Sequence, residues 1–320
     1  MKIIFLAWGK LSRRTRDLCK ELGIKPTFIP HGPPYIRSYI ETKKMLYRIA
    51  PEIVLAQLPQ GPLLWTLVRL KDKLNYKLIV DVHSGFLVYD NVKSLILNKP
   101  FKRYLSKCDL IIVHNESILE LLPNDIKNKS IVVYDPLPKP IKVKYRPQIN
   151  NYIIVPSSWA YDEPLDYILD EYFRSKSRLK LVITGNYRKR IELFRKYKER
   201  PGIIFTGHIH TDKYYMLLSQ AKAVIAATTR EYTMLSAAWE AIAYCKPLII
   251  SYTRTIHSIL SDLPEYFKPH VKGSLEAILR KLTPPTLRDL EKRINEASKR
   301  LNSIIESQIN KLKEYIGMVK

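Results

Sequence analysis

Short, almost wholly apolar runs that alternate with helical patterns constrain this chain more than any other feature. In the first 135 residues, such runs stand at residues 2–7, 26–30, 53–57, 77–81, 110–113 and 130–134. Strands without polar alternation are typical of a parallel sheet that helices cover on both faces. This part of the chain therefore predicts a doubly wound α/β domain.

The same alternation restarts after residues 136–151, a segment with four prolines that reads as a linker. A chain of 320 residues is long enough for two domains with separate cores. We expect an N-terminal Rossmann-like domain over residues 1–145 and a second over residues 146–285, facing each other across a cleft. Residues 286–320 predict a long amphipathic helix, after a break at two prolines, that packs back across the domain junction.

The charge balance is strongly positive, with 54 Lys and Arg against 30 Asp and Glu and a formal net charge of +24. Such a surface attracts nucleotides, nucleic acid or an anionic membrane. The sequence contains no recognisable helix-turn-helix, RNP or zinc module, so nucleic acid is not the expected partner. The abundance of Lys, Ile and Tyr with little glycine favours a thermophilic source.

The distribution of apolar residues and cysteines bears on the compartment. No apolar run approaches the 18 residues or so of a spanning helix, and the N-terminus does not have the pattern of a signal peptide. The three cysteines are far apart and form no CxxC pair. We therefore expect a cytoplasmic protein without a metal site.

Ligands of doubly wound sheets bind beyond the carboxyl ends of the strands. In the first domain, Gly9, Lys10 and His31 stand at such ends, and His83 and Ser84 follow the strand that ends at position 81. A histidine titrates near neutral pH and can act as a general base. His83 is therefore the leading catalytic candidate, with a structural histidine bonded to its neighbouring aspartate as the alternative.

Residues 228–251 read TTREYTMLSAAWEAIAYCKPLIIS and lie between two apolar runs. The pattern predicts a strand, a loop, a helix N-terminus and a second strand. Free N–H groups and the positive end of the helix dipole favour an anion at such a point. Glu231 and Glu240 frame this stretch, and the alternative is an ordinary helix with two solvated acids.

A family resemblance rests on these motifs. Residues 202–251, with TG at a strand end, two glutamates and AIAYCKP, resemble the C-terminal domain of family 4 glycosyltransferases with the GT-B fold. Residues 156–172, PSSWAYDEPLDYILDEY, are similar to dolichol-linked β-mannosyltransferase relatives of that family. The DxHxG at residues 81–85 resembles the acceptor domain of several members.

The resemblance implies a hexosyltransferase that moves a sugar from a UDP- or GDP-linked donor to an acceptor hydroxyl, without a cofactor or metal. Glu240 would hold the ribose, and Glu231, with His83, would be catalytic. The other implied donor-binding residues are Gly185, Arg188, Lys189, His208, Arg230, Tyr232, Thr233, Met234 and Leu235. The acceptor, a glycan or a lipid-linked sugar, would meet Gly9, Lys10, His31 and Ser84.

The sequence also departs from the family pattern. Eight residues separate the two glutamates where the family has seven, and YTMLS replaces a glycine-rich loop. A nucleotide-sugar epimerase, a non-catalytic relative and a basic nucleic-acid-binding protein therefore remain as alternatives.

A basic helix over residues 37–49, RSYIETKKMLYRI, predicts contact with an anionic membrane, such as the inner face of the cell membrane. The alternative is a solvated face on a core helix. The sequence leaves open whether the anomeric configuration is retained or inverted.

Overall fold

A computed structural model describes residues 1–89, 92–141 and 149–318. The chain divides into two compact units. Unit 1 comprises residues 1–136 and 303–320, and unit 2 comprises residues 137–302. The predicted boundary between residues 145 and 146 lies outside the described residues.

Unit 1 is built on a six-stranded sheet in which every described pairing is parallel, with the order β2-β1-β3-β4-β5-β6. Its interior strands are buried along nearly their whole length, as the continuous apolar runs predict. The strands are β1 Ile3–Trp8, β2 Pro26–Ile29, β3 Ile53–Leu58, β4 Lys77–Val82, β5 Leu110–Val113 and β6 Ser130–Val132.

Helices connect the successive strands, as in a doubly wound domain. They are α1 Arg13–Glu21, α2 Ile36–Ile49, α3 Gly61–Leu74, α4 Ser84–Leu87, α5 Val92–Asn98, a 3-10 helix Lys99–Lys107, α6 Glu116–Glu120 and α7 Asn124–Lys127. Pro100 removes a backbone donor directly after α5, and there the chain tightens into the 3-10 form.

Unit 2 holds a second six-stranded sheet with only parallel described pairings, in the order β12-β11-β10-β7-β8-β9. Its core contains Trp159 and Phe267, both fully buried against the central strands. The strands are β7 Tyr152–Val155, β8 Lys180–Thr184, β9 Ile203–Gly207, β10 Ala223–Ala226, β11 Leu248–Ser251 and β12 Glu265–Phe267.

The helices of unit 2 begin beyond the carboxyl ends of its strands and return the chain to the opposite edge. They are α8 Leu165–Ser175, a 3-10 helix Tyr187–Arg190, α9 Ile191–Tyr197, α10 Thr211–Gln220, α11 Ser236–Ala243, α12 Arg254–Leu260 and α13 Ser274–Lys281. Strand β12 and helix α12 have no counterpart in the sequence prediction. Neither contains a continuous apolar run, which was the signal used to find the other strands.

The last helix, α14, spans Pro284–Tyr315. The prediction that the two prolines break the chain before this helix was wrong, because Pro284 and Pro285 form its first turn. Proline is tolerated there, since the first N–H groups of a helix have no partner within it. The residues from 303 onward belong to unit 1. The packing of this helix relative to both units stays a prediction.

Two observations bear on membranes and sulfur chemistry. Among the described residues, no helix is long and apolar enough to cross a membrane. Cys19, Cys108 and Cys245 are free thiols.

Candidate functional site

The strand order of unit 2 has a reversal between β7 and β10, because the chain winds outward from β7 in both directions. Doubly wound sheets bind ligands beyond the carboxyl ends of the strands at such a switch point. Here these ends carry the loop SSWAYDE after β7 and the loop TTREYTML after β10. The candidate donor site therefore lies on these two loops.

The first of these loops wraps around the carboxylate of Glu163. That carboxylate accepts hydrogen bonds from the amide of Ser158 at 3.1 Å, the amide of Trp159 at 3.0 Å and the hydroxyls of Ser157 and Ser158. Trp159 has a positive φ of 59° and its indole Nε1–H donates to the carbonyl of Thr184. An acid of the chain itself thus uses the amides at the end of β7.

Asp162 joins the two loops. Its carboxylate accepts from the hydroxyl of Thr228 at 2.9 Å, and its carbonyl accepts from the amide of Thr229 at 2.8 Å. On the other side, the ammonium of Lys189 donates to the carbonyl of Ser158 at 2.7 Å, and Arg190 donates to the carbonyl of Glu163. The loops after β7, β8 and β10 therefore form one hydrogen-bonded surface with cations on it.

The loop after β10 leaves backbone amides available. The amides of residues 233–237 donate no hydrogen bond within the described part of the chain, and α11 begins at Ser236. The amide of Tyr232, by contrast, donates to the Thr255 hydroxyl at 3.1 Å. Of the four donor-binding residues expected at positions 232–235, Thr233, Met234 and Leu235 thus have open amides. The amides of Ser236 and Ala237 extend the set, and sequence reasoning missed them.

Glu231 lies directly before this open segment and is already held by backbone amides. Its carboxylate accepts from the amide of Thr255 at 2.7 Å and that of Arg254 at 3.1 Å, at the start of α12. Burial raises the pKa of Glu231, but the hydrogen bonds from Thr255 and Arg254 outweigh it and hold the pKa below its usual range. Glu231 is therefore ionised near neutral pH and fixes α12 to this loop.

Glu240 lies in the second turn of α11 and is only 7% exposed. Its carboxylate accepts from the hydroxyl of Tyr214, and the Tyr215 hydroxyl lies 3.5 Å from its other oxygen. Both tyrosines stand on α10, which follows β9. Sequence reasoning missed Tyr214, although KYYM in the helix after TGHIH was visible.

The remaining predicted donor-side residues follow strand ends of the same sheet. Gly185 closes β8 with φ +92°, and a Cβ there would lie 1.9 Å from the Ser157 carbonyl oxygen, so only glycine fits. Arg188 is exposed on the 3-10 helix after it, and His208 is exposed directly after β9. Arg230 is partly buried, and in the sequence it lies between Thr228 and Glu231.

A second polar cluster, within unit 1, surrounds Arg14 of α1. The guanidinium Nε lies 3.0 Å from both carboxylate oxygens of Asp81, and Nη1 lies 2.6 Å from Asp135. Asp81 is 1% exposed and also accepts from His83, whose Nε2 is 3.1 Å away. Burial raises the pKa of Asp81, but Arg14 and His83 together hold it well below its usual range.

This arrangement leaves one nitrogen of His83 open. With Nε2 bonded to Asp81, Nδ1 has no hydrogen bond within the residues that the structure describes. His83 precedes α4, and Ser84 is its first residue, so both stand just beyond the carboxyl end of β4. The alternative of a structural bond to Asp81 is thus present, and it leaves Nδ1 able to accept a proton.

The other acceptor-side residues of unit 1 occupy the ends of β1 and β2. Gly9 has φ +69°, and its amide donates to the Ile29 carbonyl at 2.8 Å. The carbonyl of Lys10 accepts from the side chain of Gln57 at 2.8 Å. His31 lies 2.8 Å from the exposed Glu41 carboxylate. The side chains of Arg14 and Gln57 bind residues of other strands and loops. The sequence did not indicate this role for either residue.

Metal ligands do not cluster in the described residues. No group of three or more His, Cys, Asp or Glu side chains there could hold a metal ion. His210 lies 3.6 Å from Asp212, and both are largely exposed. That the protein needs no metal or cofactor stays a prediction.

Together these features define the architecture: two doubly wound sheets in two units, which is the GT-B fold of glycosyltransferases. No protein-family model matches the chain, and no curated protein sequence matches it. Solved structures do match it, several of them over 98–100% of its length.

HepE from Anabaena in complex with UDP is similar with a TM-score of 0.75, 12% identity and full coverage of both chains. A glycosyltransferase from Rickettsia africae has a TM-score of 0.75 and 14% identity, over 98% of this chain and 97% of that one. Sucrose-phosphate synthase from Thermosynechococcus elongatus has a TM-score of 0.74 and 15% identity over both full chains. At these identities the likeness establishes the fold.

The cluster around Arg14 generates a prediction on stability. His114 is buried next to it and accepts from the Asn115 amide at 2.7 Å. Burial, and then the charge of Arg14, lower the pKa of His114 to about 4, from an ordinary 6.5. Between these pH values the unfolded chain binds a proton that the folded chain does not. Stability should therefore be full above pH 6.5 and fall towards pH 4, by about 3 kcal/mol at 1.4 kcal/mol per unit.

Urea unfolding across that pH range measures this loss. The variant His114→Gln keeps a hydrogen-bond acceptor but cannot titrate. Its free energy of unfolding should therefore fall less steeply as the pH decreases, by up to the slope of about 1.4 kcal/mol per pH unit that one bound proton contributes. His257→Gln, which removes an exposed histidine, is the control. Equal slopes for His114→Gln and the wild type would contradict the prediction.

Proposed function

We propose that this protein is a glycosyltransferase that moves a hexose from a UDP- or GDP-linked donor to an acceptor hydroxyl. The observation that carries the proposal is the run of open amides at residues 233–237, beyond the switch point of a doubly wound sheet. The structures of HepE, which hold UDP and UDP-glucose, support this choice of donor.

The donor's diphosphate fits these amides and the cations beside them. Cleavage of the sugar–phosphate bond leaves negative charge on the departing diphosphate, and fixed N–H donors stabilise such charge without a metal. Arg188, Lys189 and Arg230 are the cations on the same surface. Lys189 stays within reach of it through its bond to the Ser158 carbonyl.

The two glutamates take the hydroxyl groups of the donor. Each carboxylate oxygen has two lone pairs, so an oxygen that accepts one amide can accept a sugar hydroxyl as well. Glu231, held by α12, suits the hexose, and Glu240, held by Tyr214, suits the ribose. His208, exposed directly after β9, is the residue proposed to contact the nucleotide base.

The acceptor side belongs to unit 1 in this proposal. Gly9, Lys10, His31 and Ser84 stand at the carboxyl ends of β1, β2 and β4, where a glycan or a lipid-linked sugar would bind. A nucleotide-sugar epimerase or a non-catalytic relative would share the fold. The glycosyltransferase is favoured because the matching structures include a glycosyltransferase and HepE in complex with UDP-glucose.

Nucleotide binding tests the donor site. In a thermal-shift screen, UDP or GDP and its sugars should raise the melting temperature of the wild type. Glu240→Ala should remove at least most of this shift, because ribose hydroxyls lose a charged acceptor worth about 1.5–3 kcal/mol. Glu199→Ala, an exposed acid outside the site, is the matched control.

If no nucleotide or nucleotide sugar stabilises the wild type, the proposed function is wrong. Stabilisation by nucleotide without release of nucleotide from any donor sugar would instead favour the non-catalytic relative. Stabilisation by heparin and nucleic acid alone would favour a nucleic-acid-binding protein.

His83 is the proposed catalytic group in unit 1. Asp81 orients its ring through Nε2, so Nδ1 is the atom that would accept the proton of the acceptor hydroxyl or contact the transferred sugar. Arg14 keeps Asp81 ionised and in place. His83→Gln should lower kcat by about 10²–10⁴, the usual range for a lost general base.

The measurement is release of nucleotide from the stabilising donor as a function of pH. A general base predicts that the acidic limb of the kcat profile disappears in His83→Gln, whereas a sugar contact predicts a lower kcat with the limb intact. His257→Gln should keep the wild-type profile. Unchanged kcat and KM in His83→Gln would exclude both roles.

We also propose that helix α2 touches an anionic membrane, where a lipid-linked acceptor resides. Its buried residues are Ser38, Thr42 and Leu46, two of them polar, and three of its apolar side chains are exposed. Ile36 is 62% exposed, Ile40 43% and Tyr47 50%. At helical spacing these three share one exposed face, and exposed basic residues flank it: Arg37, Lys43, Lys44 and Arg48.

Sedimentation with vesicles tests this surface. The wild type should bind phosphatidylcholine vesicles that contain phosphatidylserine and should bind pure phosphatidylcholine far less. Ile36→Ser/Ile40→Ser should reduce binding at least tenfold, since two apolar side chains worth about 1.5–3 kcal/mol each leave the membrane. The control is Phe173→Ser, which removes an exposed apolar side chain of unit 2. Equal binding by both variants would contradict the proposal.

A further inference from the structure

A cavity of about 910 Å³ lies within unit 2, at the edge opposite to the candidate donor site. Its wall includes residues that stand just before four strands: Asn151 before β7, Leu179 before β8, Lys222 before β10 and Pro247 before β11. The start of α14 closes another side. The volume lies in the range of small-molecule sites.

The charges of this cavity are strongly one-sided. Its lining contains one carboxylate, Glu291, and six cations: Lys176, Arg178, Lys222, Lys246, Arg280 and Arg288. Arg280 is paired with Glu276 at 2.6 Å. The side chains of the other five cations form no ion pair or hydrogen bond with any described residue. The cavity therefore collects positive charge, most of which no ion pair of the described residues neutralises.

The negative ends of helix dipoles offset only part of this positive charge. Helices α8, α10, α11 and α13 all end at this edge of the sheet, and each C-terminus carries about half a negative charge. Four ends thus offset about two of the five free cations, Glu291 offsets one, and the start of α14 returns about half a positive charge. An excess of about two to three positive charges remains.

Lys246 shows the consequence most directly. It is half-buried, and it stands between the end of α11 and the start of β11. Burial lowers the pKa of its ammonium, Glu291 partly offsets this, and the charge of Lys222 lowers the pKa further. A half-buried ammonium beside a second cation gains stability when an anion lies between them.

The wall also has apolar parts, beside polar residues such as Asn151, Ser177 and Thr283. Leu179, Pro247, Leu282 and Leu287 line it, so the cavity combines a cationic part with surfaces for carbon atoms. We propose that this cavity binds a small molecule that carries two or more phosphate groups, at a site separate from the donor site. The two to three negative charges of a diphosphate match the excess positive charge, and the apolar wall accommodates the organic part.

Calorimetric titration with inorganic pyrophosphate, at physiological ionic strength, tests this site. The variant Lys222→Gln/Lys246→Gln should weaken pyrophosphate binding at least tenfold. The control Lys268→Gln/Lys272→Gln removes two exposed lysines of the same unit outside the cavity and should change the affinity less than twofold. Far-ultraviolet circular dichroism and thermal melts verify that all variants fold.

The donor site also binds diphosphates in our proposal, so the two sites must be told apart. Glu240→Ala should keep the lysine-dependent heat of pyrophosphate binding, and Lys222→Gln/Lys246→Gln should keep the thermal shift with nucleotide. This separation holds even if the proposed glycosyltransferase function fails, because the lysine dependence of pyrophosphate binding does not use the donor site.

Phosphate groups also occur on lipid headgroups, so a second arm uses phosphatidylcholine vesicles with and without phosphatidic acid. Lysine-dependent binding of pyrophosphate alone assigns a free phosphorylated ligand. Lysine-dependent binding of phosphatidic acid vesicles without binding of pyrophosphate assigns a lipid headgroup with one phosphate and overturns the proposal. If the wild type binds neither probe, or if Lys222→Gln/Lys246→Gln binds both as well as the wild type, the proposal is overturned.

Discussion

Parallel pairing is the constraint on which the rest of this structure depends. A parallel strand must be followed by a crossover that returns the chain to the amino edge, and here helices make these crossovers. The carboxyl edge of each sheet therefore collects loops and the first turns of helices, with their free N–H groups. The amino edge collects helix C-termini, with their free carbonyls. The carboxyl edge therefore tends to be electropositive and the amino edge electronegative, whichever side chains stand there.

Carboxylates of the chain determine which amides at the carboxyl edge stay open. Glu163 takes the amides after β7, Glu231 takes those at the start of α12, and the buried Glu171 takes three at the start of α13. Each buried amide left without a partner would cost about 1–3 kcal/mol, so these acids hold in place loops that contain few glycines. These acids leave the amides of residues 233–237 open, and this segment lies where the strand order reverses.

The sequence predicted the parts of the structure that depend on local pattern. The strands of both sheets follow from continuous apolar runs, and the fold class follows from their alternation with helices. Strand β12 was missed because EYF is too short for such a signal, and Pro284 was misread because its effect depends on which turn it occupies. The residues at strand ends were found because topology brings all of them to one edge.

Contacts between residues distant in the chain could not be found in this way. Arg14 and Asp81 are 67 residues apart, and nothing in either local sequence indicates that a basic side chain of α1 is buried against β4. Tyr214 and Glu240 likewise meet only because α10 and α11 begin at the same edge. Such pairs depend on side-chain packing, which periodicity does not encode.

The two glutamates of unit 2 show why spacing alone is a weak guide to this site. Tyr232, directly after Glu231, has a left-handed φ of 61°, and its amide is held by the Thr255 hydroxyl. Glu231 is thus anchored to α12, whereas Glu240 is anchored through Tyr214 to α10. Because each carboxylate has its own anchor, the eight residues between them need not keep a fixed register. In the proposed donor site, these eight residues contribute the open amides of residues 233–237.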